Sequence, residues 1–162
     1  MSIHDVYLLS PELALAALGM LIVILDLLIK RKVIVAIVAI LGLVVPIALM
    51  VVLLVDVGDS GPQHGIFGTL MVDKFSLFFK FLVVGIVGLV MLASIDYMEN
   101  LERCEGEYFG LLLFSASGMM LLPSATEFIS IYISLELATL PLVALAAFLS
   151  SGRSTESSIK FL

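Results

Sequence analysis

Apolar runs of about 18 to 24 residues, separated by short polar stretches, follow one another along this 162-residue chain, and that is the length of helix that crosses the hydrocarbon core of a bilayer. Inside hydrocarbon every backbone N–H and C=O must find its partner within the protein, which restricts such runs to helices. The chain is 62% hydrophobic and 14% charged, with a mean hydropathy of +1.24, whereas soluble domains are about half apolar and a quarter charged. The expected fold is therefore all-α: a polytopic transmembrane helix bundle forming a single transmembrane domain over residues 1–162, with no repeat and no internal boundary.

Charge and cysteine content remove several function classes. Eight Lys+Arg against fourteen Asp+Glu give a net charge of −6, and the longest basic stretch is Lys30-Arg31-Lys32, so an electrostatic basis for nucleic-acid binding is missing. The lone Cys104 and the two distant histidines, His4 and His64, make neither a disulfide nor a metal-ligand cluster. No redox group is expected to be held by this chain. The first residues lack the basic n-region of a secretory signal, so the first helix is expected to stay in the protein.

Five helices are expected, at about 10–29, 33–55, 74–95, 107–122 and 126–149, and Ile159 to Leu162 reads as the start of a sixth. Ser10-Pro11-Glu12 opens the first with a capping hydroxyl, a proline at the first helical position and an acid at the positive end of the dipole. Pro46 predicts a kink in the second. The stretch from Asp56 to His64 reads as a polar loop, and the one from Ile66 to Asp73 as its ending in a short surface hairpin. Pro123 to Thr126 predicts a tight turn. Lys30, Arg31, Lys32, Arg103 and Arg153 fall after helices one, three and five, which predicts those turns in the cytoplasm and the N-terminus outside.

The fifth helix carries the residue with the most chemistry. Glu136 stands about 15 Å from one end and nearly 20 Å from the other, where an ionised acid costs on the order of 3 kcal/mol even on a lenient scale. It is expected to be the chain's single buried mid-membrane carboxylate, facing protein or water. Burial and neighbouring charge move a carboxyl's proton affinity in opposite directions, so such a group can load and release a proton as charges shift around it. Tyr132 and Thr139 lie one turn away on the same face, and Pro141 frees the carbonyl of Leu137. The alternative is an acid that merely joins two helices by a buried hydrogen bond. Lys80, about two turns into helix three, is shallow enough to snorkel. Glu107 sits where a helix dipole favours an acid, and Asp26 pairs with Lys30 one turn on. Glu127 reads as solvated, and Met119, Met120 and the phenylalanines of helix three as packing or lipid-facing residues.

The stretches Glu107-Tyr-Phe-Gly-Leu-Leu-Leu-Phe-Ser-Ala-Ser-Gly-Met-Met120 and Ile133-Ser-Leu-Glu136-Leu-Ala-Thr-Leu-Pro141 to Phe148, with Ser10-Pro11-Glu12, Leu25-Asp26-Leu27 and Val72-Asp73-Lys74-Phe75 to Lys80, resemble the antiporter-like membrane subunits of respiratory complex I, the proton-pumping NADH:quinone oxidoreductase. Leu135, where sister subunits L and M and the related cation/proton antiporters usually carry Trp, favours subunit N. The resemblance implies that Glu136 is the family's helix-five glutamate, which partners a lysine on helix seven, with further lysines on helices eight and twelve completing a half-membrane proton path. Those helices lie beyond this sequence, which holds the first third of a family member of about fourteen helices in two inverted halves. It also implies that NADH, FMN, iron–sulfur clusters and quinone are bound by other subunits. The expected partners are the lipid bilayer and other membrane-arm subunits, sister antiporter-like ones among them, in an energy-transducing membrane, with a bacterial inner membrane the first expectation. Lys80 and Glu107 are secondary candidates for proton translocation. A cation/proton antiporter subunit and a truncated structural scaffold are the alternatives.

Overall fold

The structure, a computed structural model, describes residues 3–28, 32–65, 68–99 and 105–148. Lys30, Arg31, Arg103, Cys104, Arg153 and the expected sixth-helix start lie outside the described residues. Helices α1 (Ile3–Leu8) and α2 (Ser10–Leu28) follow each other directly. The amides of Leu9 and Leu13 bond the carbonyls of Asp5 and Leu9, at 3.2 and 3.0 Å, and carry the helical ladder across the join. The helix thus begins before Ser10, and the Ser10 hydroxyl, expected as a cap, is buried with no hydrogen-bond partner among the described residues.

The second apolar run is two helices, α3 (Lys32–Gly42) and α4 (Val44–Ser60), interrupted at Leu43. Pro46 explains the break's position: its ring crowds the carbonyl of residue i−4, here Gly42, and it offers no N–H to that carbonyl. The kink expected at the proline appears one turn earlier. Asp56 to Ser60, expected as loop, are helical, because Leu53 and Val57 bury against Leu8, Val72 and Leu77 and hold the chain in register past the acid. A hairpin follows, β1 (Gln63–Gly65) antiparallel to β2 (Leu70–Val72), with Gln63 opposite Val72 and Gly65 opposite Leu70.

Helix α5 (Lys74–Glu99) starts with a reciprocal cap: the Ser76 amide donates to Asp73 Oδ1 at 2.7 Å and the Asp73 amide to Ser76 Oγ at 2.9 Å. Helix α6 (Glu105–Leu121) leads through a 3₁₀ turn, Leu122–Ser124, into α7 (Phe128–Phe148). Four helices are long and apolar enough to cross a membrane among the described residues: Ser10–Leu28, Val35–Ser60, Lys74–Ser94 and Phe128–Ala147. The fourth of the five expected spans, α6, has 17 residues, a rise of about 26 Å, and it is the bundle's centre.

Phe109, Leu113, Ala116 and Met120 of α6 are fully buried among Leu15, Ile22, Val35 and Met91. Small residues let backbones meet there, as between membrane helices generally. A Cβ on Gly19 would sit 3.2 Å from the Gly110 carbonyl, and one on Gly118 would collide with the Leu137–Ala138 backbone. Ser115 Oγ donates to the Ala138 carbonyl across the same contact at 2.7 Å. The outer shell is the reverse of a soluble protein's, with Met20, Leu27, Phe75, Phe78 and Leu89 all exposed. Such an arrangement suits a membrane protein's surroundings.

Candidate functional site

Glu136 is half-buried, and it sits on the side of α7 turned away from the bundle. Ser134 and Ala138, which pack inward, are buried, and at about 100° per residue Glu136 lies some 200° around the axis from Ser134. Its neighbours on that side, Tyr132 and Leu140, are 64% and 55% exposed. The expectation of a carboxylate buried by this chain is therefore corrected: α7 spends its other face on Gly118 and Ser115, so the described residues leave the Glu136 side open. Tyr132 does stand beside it as expected, one turn back on the same face, with its hydroxyl interacting with the carboxylate. Thr139 does not join them, because its hydroxyl donates to the Leu135 carbonyl one turn back, at 2.9 Å. Pro141 lies inside the helix, and Leu137, whose carbonyl it leaves without an amide partner, lines a cavity on the bundle side.

Among the described residues the buried acid is Glu12. Lys80 Nζ lies 2.6 Å from Glu12 Oε1, and the two side chains are 1% and 3% exposed. Lys80 does not snorkel: α5 turns it inward at the level where the first turn of α2 presents the acid. The sequence position of Glu12 points to the helix dipole alone and does not show its ion-pair partner. The available signal was two opposite charges in apolar helices that begin at the same end of the bundle.

Glu107 stands in the first turn of α6 as expected, and its Oε2 is buried without a hydrogen-bond partner among the described residues. It is far from the Glu12–Lys80 pair, which lies near the other end of α6, about 20 Å along the axis. Asp26 is at the Glu107 end, where a Cβ on the neighbouring Gly106 would strike it; its expected partner Lys30 lies outside the described residues. At the hairpin end, Tyr7 donates a hydrogen bond to Asp56 Oδ2, and that acceptor pushes the phenol up to about 12.

No protein-family model matches the chain. It is 37% identical over 153 residues to NADH-quinone oxidoreductase subunit N of Dehalococcoides mccartyi, covering 94% of this chain and 31% of the relative. To F(420)H(2) dehydrogenase subunit N of Methanosarcina mazei it is 35% identical over 164 residues, 98% of this chain and 33% of that one. The chain is homologous to subunit N. A third relative, NADH-quinone oxidoreductase subunit N 2 of Koribacter versatilis, is 42% identical over 104 residues. This subunit N homologue spans about a third of the length of the first two relatives. Its resemblance to subunit N, read first from the Glu107–Phe148 region, thus holds over nearly the whole chain.

Proposed function

We propose that this subunit N homologue acts within a proton-translocating NADH:quinone oxidoreductase as a membrane-arm subunit without a redox site, and that Glu136 holds a proton in transit. The observation that supports this reading most is the Tyr132–Glu136 pair, half-way along an apolar helix and on the face that the described residues leave uncovered. An acid with a hydroxyl partner, presented outward from a membrane helix, is suited to pairing with a cation from a neighbouring helix, since intramembrane acids pair or face a hydrated cavity. Its proton affinity then follows that neighbour's charge. Quinone reduction elsewhere in the assembly would supply the charge movement.

The two relatives' names carry different electron donors, NADH and F420H2, which favours a membrane subunit indifferent to the donor and leaves NADH, FMN, iron–sulfur clusters and quinone to other subunits. Sister antiporter-like subunits and lipid are the proposed partners, with the hairpin end facing outward across a bacterial inner membrane.

The test is Glu136→Gln in the complete assembly. Protons pumped per electron should fall while electron transfer continues more slowly, and Glu136→Asp should give an intermediate defect. Wild-type pumping and turnover in Glu136→Gln would refute the assignment and favour a scaffold.

A further inference from the structure

A cavity of about 310 Å³ lies between α2, α6 and α7 at the hairpin end, with Thr69 and Leu70 on its wall. The hairpin is fastened over this region. The Thr126 amide and hydroxyl donate to the Thr69 and Gly68 carbonyls, at 3.0 and 2.7 Å. Gly68, at φ +83°, occupies the left-handed region that this tight connection requires.

The other polar residues lining the cavity are Glu12, Ser117, Ser130 and Ser134. Two of these hydroxyls have already spent their protons: Ser117 donates to the Phe114 carbonyl and Ser134 to the Ser130 carbonyl, each at 2.7 Å. They have only lone pairs left to offer. Glu12 Oε1 forms the ion pair with Lys80 at 2.6 Å, and neither Oε1 nor Oε2, both buried, has a hydrogen-bond partner among the described residues; Oε2 has no ion-pair partner there either. A buried oxygen of this kind needs a partner, and a water seated at the polar end of the cavity, beside Glu12 and the serines, would supply one. Acceptors on the wall suit water carrying an extra proton and do not suit an anion.

We propose that Glu12 is a second proton-exchanging carboxylate of this chain, loaded through the α2–α6–α7 cavity, with Lys80 as its fixed counter-ion. On loading, an O–H bond of a hydronium breaks and one to Glu12 Oε2 forms; water remains, and the pair passes from neutral to singly positive. Release reverses each step. Among the described residues Lys80 of α5 is the charged group that meets Glu12. The titratable groups of the adjoining α1 and α4, namely His4, Asp5, Tyr7, Asp56 and Asp59, do not line the cavity. Neither does Glu107 of α6 or Glu136, on the far face of α7. The proposal therefore stands apart from the role given to Glu136.

Dicyclohexylcarbodiimide, a lipid-soluble reagent for protonated carboxyl groups, tests it on the native assembly in its membrane, with modification of the Glu12 peptide read by mass spectrometry. Modification should rise severalfold as pH is lowered, equally in wild type and in Glu136→Gln. Filling the cavity with Ala16→Leu, or with Ser130→Val should the first fail to assemble, should reduce it severalfold. Lys80→Met should raise it at neutral pH. A Glu12 that stays unmodified at every pH in wild type is a static ion pair, and the proposal falls. It falls equally if modification is indifferent to the filled cavity.

Discussion

Substituting Lys80 by Met strands the Glu12 carboxylate in a site where it is 3% exposed, and breaking a buried pair from one side costs about 3 to 5 kcal/mol. Removing both charges, as in Glu12→Gln with Lys80→Met, should return stability to within about 1 kcal/mol of wild type, since neutral replacements of similar volume are tolerated in such sites. Thermal denaturation of the purified assembly measures both. Tyr7 makes a second prediction at this scale. Its phenol is raised from 10.0 to about 12 by the hydrogen bond to Asp56, so the native state keeps the proton more tightly than the unfolded chain does. The stabilisation is complete below pH 10 and is lost as pH climbs toward 12. Tyr7→Phe should be less stable than wild type at neutral pH and should lack this alkaline loss, which denaturation across an alkaline pH series will show.

At the scale of the element, α7 is placed by its contact with α6, and Gly118 is the point of closest approach. A side chain there would meet the Leu137–Ala138 backbone, which has no rotamer by which to yield. Gly118→Leu should destabilise by about 1 to 3 kcal/mol or more, as overpacking does, and should also turn the Glu136 face away from its present orientation. Reduced assembly with loss of the Ser115 to Ala138 hydrogen bond, visible as faster amide exchange in α7, is the expected result. By comparison, Gly58 has open space around it, so Gly58→Ala should be neutral for packing and should gain roughly the difference in helix propensity, about 1 kcal/mol.

At the scale of the whole molecule, the face of α7 that the described residues leave uncovered is the feature that calls for a neighbour. Phe128, Ile129 and Tyr132 are 91%, 71% and 64% exposed, alongside an acid that lipid solvates poorly. In the assembled complex a lipid-phase photolabel should spare this face and mark Phe75, Phe78 and Leu89 of α5, which carry no charge among them. Labelling of α7 equal to that of α5 in the assembly would mean that Glu136 faces lipid, and the proposed function would fail.

The helices themselves were legible in the amino-acid order, because a span of hydrocarbon admits one backbone solution and its length is counted in residues. So were the tight turn after α6 and the position of Glu136 half-way along its helix. The sequence by itself also determined the kinship with subunit N, through the Glu107–Phe148 region. Tertiary structure alone decided which charges are buried. Glu12 and Lys80 are separated by some 68 positions, and only the packing of α2 against its neighbours brings them within hydrogen-bonding distance. It also decided that Glu136 faces outward: α7 is apolar nearly all round, so its sequence holds no stripe to say which face packs, and the choice fell to the small surfaces of Gly118 and Ser115. The break at Leu43 and the helical run through Ser60 have the same origin, in a proline's clash one turn upstream and a hydrophobic cluster assembled from four separate elements.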